Sequence, residues 1–374
     1  MKFVNLDRQY KRIKRNVLSR IENVLDSGQY IMGPDVGALE VTLSARTGVD
    51  HAICVSSGTD SLLISLMALN IKDGDEVITS PFSFIATAAC IKLVGATPVY
   101  ADISEKTFNI DPEKIENIVT SKTKAIIAVS LFGQCADFHR INEVAERYGL
   151  AVIEDAAQSF GSTYEAKPSC SLTTIATTSF YPSKPLGGYG DGGACFTDDS
   201  VLADRIRKIR IHGQVNRYEY DVLGVNGRLD AIQAAIILAK LEVFDEEIER
   251  RRTLAARYTG AFCDAGLDVG PFIGEQSNST FSQFTVQVRN RDSIREKLNF
   301  LGVPTMIFYP TPLNKQHPVA NSDSDCPVAE RVCGQVISLP ICPYMTDLEQ
   351  GEVITNFLSV VKGTGNSVKS VSGG

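Results

Sequence analysis

Tryptophan is absent, and histidine occurs only four times in 374 residues, with no pair at i,i+4. An imidazole-built metal centre is therefore not expected, and no metal ligands are assigned. Basic charge is scarce too: 37 Lys and Arg against 44 Asp and Glu leave a formal net charge of -7. Nucleic-acid binders usually carry a basic footprint, so that class is excluded. No uninterrupted apolar run reaches the roughly 18 residues a membrane span needs, and no secretory h-region opens the chain. The expectation is a cytoplasmic protein with no membrane partner. Nine cysteines, an odd number, contain no C-x-x-C. Buried free thiols in a reducing compartment account for them better than a disulfide framework.

What remains is the composition of an ordinary globular enzyme, 44% hydrophobic and 22% charged. Lys11 to Arg20 alternates basic residues with Ile13, Val17, Leu18 and Ile21, which predicts a docked N-terminal helix. Segment 28–34 is a breaker-bounded link. Near-continuous apolar strands are expected at 52–55, 77–80, 98–102, 124–131 and 151–155, with helices between them. One such helix, 137–148, should bury Phe138, Ile141, Val144, Ala145 and Tyr148. Strands of this kind predict an α/β fold: a mostly parallel sheet covered by helices on both faces. A strand at 194–197 and a helix at 201–211 follow, then a long apolar helix opening at 228–230. Residues 1–244 are expected to form a large domain and 245–362 a smaller C-terminal α/β domain. The smaller one should hold strands at 281–288 and 303–309 and helices at 292–301 and 348–361. The Gly/Ser-rich stretch 363–374 is expected to be a disordered tail.

In a parallel sheet, ligands bind beyond the carboxyl ends of the strands. Asp155, Phe84 and the Ser57-Gly58-Thr59 turn all lie at such ends and should converge. A strand, small-residue turn and helix start at 57–59 suit a phosphate, although an N-cap by Ser57 or Thr59 explains the same residues. Lys184 closes the apolar, hydroxyl-bearing run from Ser179 and is followed by a glycine-dense loop. Desolvation there makes a neutral amine able to form a Schiff base. Gly188 to Gly193 satisfies a literal G-x-G-x-x-G, but two prolines precede it and a strand follows, which argues against dinucleotide binding. Lys184 and Asp155 are the better pair. Pyridoxal phosphate needs an amine, a carboxylate at its ring nitrogen, a phosphate cradle and a flat cover. Asp155 read alone is equally a cap on the turn at 156–157.

Segments 153–159, 179–184 and 190–193 resemble the DegT/DnrJ/EryC1/StrS sugar aminotransferases, fold-type I pyridoxal-phosphate enzymes. The likeness extends from Phe3 to about Tyr344. It implies that Lys184 holds the cofactor, Asp155 binds the ring nitrogen, Gln158 sits by the ring hydroxyl and Phe84 stacks on the ring. Ser57, Gly58, Thr59 and Ser179 would hold the phosphate. Asn226 would reach the phosphate of a neighbouring subunit, giving a homodimer with shared sites. Relatives with histidine in place of Lys184 are dehydratases, so lysine implies transamination. Segments 28–34, 132–137, 181–187 and 309–316 resemble a narrower group within the family. Its members use glutamate to aminate a UDP-linked 3-oxo-hexuronic acid for bacterial surface polysaccharide. A sugar carboxylate wants a bidentate guanidinium, for which Arg228 is the candidate, with Tyr309 and Lys315 as further substrate contacts. Two departures stand out: Phe308 replaces a histidine, and Gly227 removes a side chain, which predicts a more mobile loop. The alternatives are an aminotransferase for a 4-keto nucleotide sugar, a non-catalytic nucleotide-sugar-binding regulator and, last, an NAD-linked oxidoreductase.

Overall fold

A computed structural model describes residues 1–363. The apolar runs assemble into one seven-stranded sheet. Its strands are β1 (His51–Val55), β2 (Glu76–Thr79), β3 (Thr97–Tyr100), β4 (Thr123–Val129), β5 (Ala151–Asp155), β6 (Ile175–Ser179) and β7 (Gly193–Thr197). The spatial order is β1-β7-β6-β5-β4-β2-β3. β7 runs antiparallel to both neighbours, and every other pair is parallel.

The helices that accompany the sheet are α1 (Leu6–Ser27) and α2 (Pro34–Thr47) before it, α3 (Gly58–Ala68), α4 (Ala86–Leu93), α5 (Pro112–Glu116) and α6 (Phe138–Tyr148) between its strands, and α7 (Ser200–Arg210) and α8 (Ala231–Asp264) after it. Side chains alternate across a strand, so one strand feeds two cores. Ile78, Ile126, Ala128 and Val152 pack with Phe138, Ile141 and Val144 of α6. Their neighbours Val77, Ala125, Ile127 and Ile153 pack with Leu62 and Leu66 of α3 and Ile91 of α4. The same alternation sends Asp155 toward α4 and Glu154 to the opposite face.

α8 runs unbroken across the expected boundary at 244/245. Phe244 and Ile248 belong to the core shared with α2 and the sheet, while Leu254, Tyr258 and Phe262 belong to a second core. That core is completed by α9 (Arg291–Phe300), α11 (Asp347–Gly363) and an antiparallel pair, β8 (Phe284–Gln287) with β9 (Val336–Leu339). Residues between them, including Leu313, Val319 and α10 (Pro327–Cys333), instead pack on Phe82 and Tyr100 beside the large sheet.

Several expectations are corrected. The N-terminal helix is longer than expected and buries Ile13 and Val17, but Leu18 is exposed. α2 was not anticipated. Tyr148 is exposed, being the last residue of its helix. Segment 303–309 is not a strand: Met306 forms one isolated bridge to Ser338, and prolines at 304 and 310 limit further pairing. Gly363 ends α11, and the rest of the expected tail, 364–374, lies outside the described residues. Eight cysteines are buried and free, while Cys263 is exposed and free. Among the described residues no helix is long and apolar enough to cross a membrane, and no cluster of metal-ligating side chains occurs.

Candidate active site

Parallel strands place their carboxyl ends on one edge, and β1, β2, β5 and β6 deliver the candidate residues there. β5 ends in Asp155, which is buried. Its Oδ2 accepts from the Thr87 hydroxyl at 2.9 Å and its Oδ1 from the Ala157 amide at 3.2 Å. Burial pushes this carboxyl up; the Lys184 charge, the Ala157 amide and Thr87 oppose the rise. Asp155 is thus both a turn acceptor and a carboxylate with lone pairs to spare.

Lys184 follows β6 on a loop closed by backbone bonds from Phe180 to Gly192 and from Gly188 to Phe180, each 2.7 Å. Its ammonium is pushed down by burial, and the Asp155 charge partly restores it. The loop is held from behind by α8. The Gln233 side chain accepts from the Tyr189 amide at 3.0 Å, and Lys240 donates to the Gly188 carbonyl at 3.3 Å. The Lys240 ammonium also lies 4.1 Å from the centre of the Tyr189 ring.

The turn after β1 behaves as an N-terminus of α3. Ser57 Oγ accepts from the Asp60 amide at 3.0 Å, capping α3 and leaving its O–H as a donor. The first-turn amides of Gly58 and Thr59 have no intrahelical acceptor and carry the positive end of the helix dipole. Ser179 closes on this turn so tightly that a Cβ at Gly58 would lie 2.5 Å from the Ser179 Cβ. Only glycine allows that approach.

Gln158 is fixed at both ends: Oε1 accepts from the Phe132 amide at 2.9 Å, and Nε2 donates to the Tyr309 hydroxyl at 3.1 Å. The Tyr309 ring leans on Phe82 and Phe84, with centroids at 6.2 and 6.4 Å. Phe84 itself is 55% exposed. The structure therefore joins Lys184, Asp155, Gln158, Tyr309 and Phe84 on one edge, with Gly58, Thr59 and Ser179 beside them.

Three candidates share no hydrogen bond with this group among the described residues, although the loop that carries two of them is bonded to Ser56 beside the 57–59 turn. Asn226 is exposed on an edge loop, bridged to Ile211. Arg228, two residues on, is half-buried, and its Nε is buried with no hydrogen-bond partner among the described residues. Lys315 is committed to Glu330 at 3.1 Å. The loop is also less free than Gly227 suggested. The Gly227 amide donates to Arg210, its carbonyl accepts from Ser56, and a Cβ there would meet Ile64 at 2.9 Å. Phe308 packs against Phe3, with ring centroids 6.4 Å apart.

These groups fit pyridoxal phosphate: a desolvated amine, a buried carboxylate able to take a ring N–H, free helix amides and an exposed aromatic. The sequence profile of the DegT/DnrJ/EryC1/StrS aminotransferase family matches residues 11–358. The chain belongs to the DegT/DnrJ/EryC1/StrS aminotransferase family. It is 50% identical, over 92% of its length and 96% of the relative's, to UDP-2-acetamido-2-deoxy-3-oxo-D-glucuronate aminotransferase of Pseudomonas aeruginosa. The crystal structure of a family aminotransferase from Brucella abortus matches with a TM-score of 0.92 at 37% identity, covering 98% of this chain and 100% of that one. The structure of NtdA from Bacillus subtilis with bound cofactor PMP matches at 0.88 and 33% identity, covering 96% and 83%. This family member is a pyridoxal-phosphate-dependent sugar aminotransferase of fold type I.

Sequence reasoning missed the supports. Ser83 and Thr87, four residues apart around a helix start, signalled paired hydroxyls; Lys240 and Gln233 gave no signal, because contacts to a loop 52 and 44 residues away are tertiary.

Proposed function

We propose that this aminotransferase moves an amino group from glutamate to C3 of a UDP-linked 3-oxo-hexuronic acid. The product is a 3-amino sugar acid for bacterial surface polysaccharide, made in the cytoplasm. The observation that carries the choice of substrate is Arg228, a half-buried guanidinium whose Nε has no partner among the described residues. A planar fork of donors suits a carboxylate, which a neutral ketosugar lacks. Similarity to the Pseudomonas aeruginosa enzyme supports the same class of substrate. A homodimer is part of this reading: Asn226 and Arg228 share an exposed edge loop, and a second copy would bring Asn226 to the neighbour's phosphate.

When bound, the cofactor takes up the electron pair released as the donor Cα loses its proton. Lys184 would hold the cofactor through Nζ, and the same amine would carry the proton taken from the donor Cα and, in the reverse sense, supply the one the ketosugar carbon gains. Asp155 holds the positive charge at the ring nitrogen. Gly58 and Thr59 offer amides to the phosphate, and Ser179 closes that cradle. Gln158 is held by Phe132 and Tyr309 so that its remaining N–H can meet the ring hydroxyl.

Steady-state kinetics of Arg228→Gln with the uronate and with the matching neutral 3-oxo sugar test the proposal. Losing a charge-assisted bidentate contact should raise the uronate KM about a hundredfold and leave the neutral sugar nearly unchanged. Equal losses on both sugars would contradict the assignment.

A further inference from the structure

One turn at the start of α4 does two jobs. Phe84 offers its ring to the site, and Thr87, whose amide donates to the Phe84 carbonyl at 3.2 Å, reaches Asp155 with its side chain. A threonine inside a helix can turn its hydroxyl back to the carbonyl four residues earlier. Thr87 does not. Its hydroxyl lies 2.9 Å from Asp155 Oδ2 and 3.0 Å from the hydroxyl of Ser83, and all three residues are buried.

The donor assignments follow from proton count. An ionised carboxylate only accepts, so the single Thr87 proton points to Asp155, and the Ser83 proton must then point to Thr87. Ser83→Thr87→Asp155 is a chain with one polarity, each link strengthening the next. A hydrogen bond given to the charged form favours that form. Burial works the other way on Asp155, and among the described residues no side chain is hydrogen-bonded to it except Thr87. The other titratable groups around it are Lys184 on the loop after β6, Cys90 on α4, Tyr309, and Glu154 with Cys170 across the strand. Of these, only Lys184 carries a charge that supports the carboxylate.

We propose that Thr87, oriented by Ser83, is a positioning residue that keeps Asp155 ionised and aimed at the ring nitrogen of pyridoxal phosphate. Thr87 is buried and acts through Asp155. The proposal rests on the cofactor assignment.

Thr87→Val preserves shape and removes the hydroxyl; Thr87→Ser keeps the hydroxyl; Ser83→Ala removes its orienting donor. For each, the affinity of the apoprotein for pyridoxal phosphate is measured by equilibrium dialysis. The visible absorbance of the loaded protein is then titrated with pH. With a less firmly ionised Asp155, the ring nitrogen carries less positive charge and the cofactor–lysine linkage holds its proton to higher pH. Thr87→Val should therefore bind the cofactor about tenfold more weakly and titrate about one pH unit higher. Thr87→Ser should restore both values, and Ser83→Ala should shift the titration in the same direction by less. Should Thr87→Val fail to fold, the serine and Ser83→Ala variants carry the test. An unchanged titration in loaded Thr87→Val, or a Thr87→Ser that behaves like valine, overturns the role of Thr87 alone. Wild type that takes up no pyridoxal phosphate overturns this proposal and the cofactor assignment together.

Discussion

The front and the back of the catalytic edge solve the same problem in opposite ways. At the front, Lys184 and Asp155 are both desolvated, and each charge offsets part of the other's burial cost. Behind them, two more buried ionisable groups have only neutral hydrogen-bond partners. Lys240, 2% exposed, is bound to the Gly188 carbonyl and the face of Tyr189, and burial pushes its ammonium down to about 8. Glu154 accepts from the Ser130 and Ser169 hydroxyls and the Cys170 amide, and burial pushes it up to about 7. Each of these opposite charges shifts the other, so a change at one is felt at its partner. Charges gripped by neutral groups act as anchors, and removing them should cost little stability.

Lys184→Ala should break the front. Turnover should fall by at least about four orders of magnitude, because it removes both the covalent link to the cofactor and the proton carrier. A residual rate near wild type in a coupled glutamate assay would contradict this. Lys240→Met tests the back. Methionine fills similar space without a buried charge, so the melting temperature should hold or rise while kcat falls about tenfold as the 187–193 loop loosens. A large fall in melting temperature at unchanged kcat would make Lys240 a stability residue instead. The sign of its pH dependence is fixed. Its folded value lies below the unfolded 10.5, so the penalty is full below about 8 and fades between about 8 and 10.5. Wild type should gain on Lys240→Met across that window.

Glu154→Gln should leave turnover least affected and is the sharpest test in pH. An acid whose folded value is raised is penalised wherever the unfolded chain would ionise. Wild type should therefore lose stability relative to the glutamine variant as pH rises from 4.5 to about 7, by up to about 3 kcal/mol. Parallel denaturation midpoints across that range would remove Glu154 from the comparison.

The front was legible in the sequence because its residues sit where local pattern and topology agree. Asp155 ends an apolar strand, Gly58 opens a helix after another, and Lys184 precedes a glycine loop that only close packing explains. The resemblance to known aminotransferases then assigned roles that spacing alone left open between cap and ligand. The back was not legible. Lys240 reads as one polar residue on a long helix, and Glu154 as half of an acidic pair whose two members differ only by the alternation of the strand. Segment 303–309 misled for a related reason. Its apolar residues pack against Phe82, Phe84 and the N-terminal Phe3, so their hydrophobicity serves side-chain contacts and not a strand ladder.

The most direct test of the account is the visible absorbance of the purified protein with and without glutamate, beside Lys184→Ala. The account predicts a yellow wild type that bleaches on adding glutamate, and a variant lacking the lysine-linked band that does not respond in the same way. A protein that stays colourless after incubation with pyridoxal phosphate would contradict it.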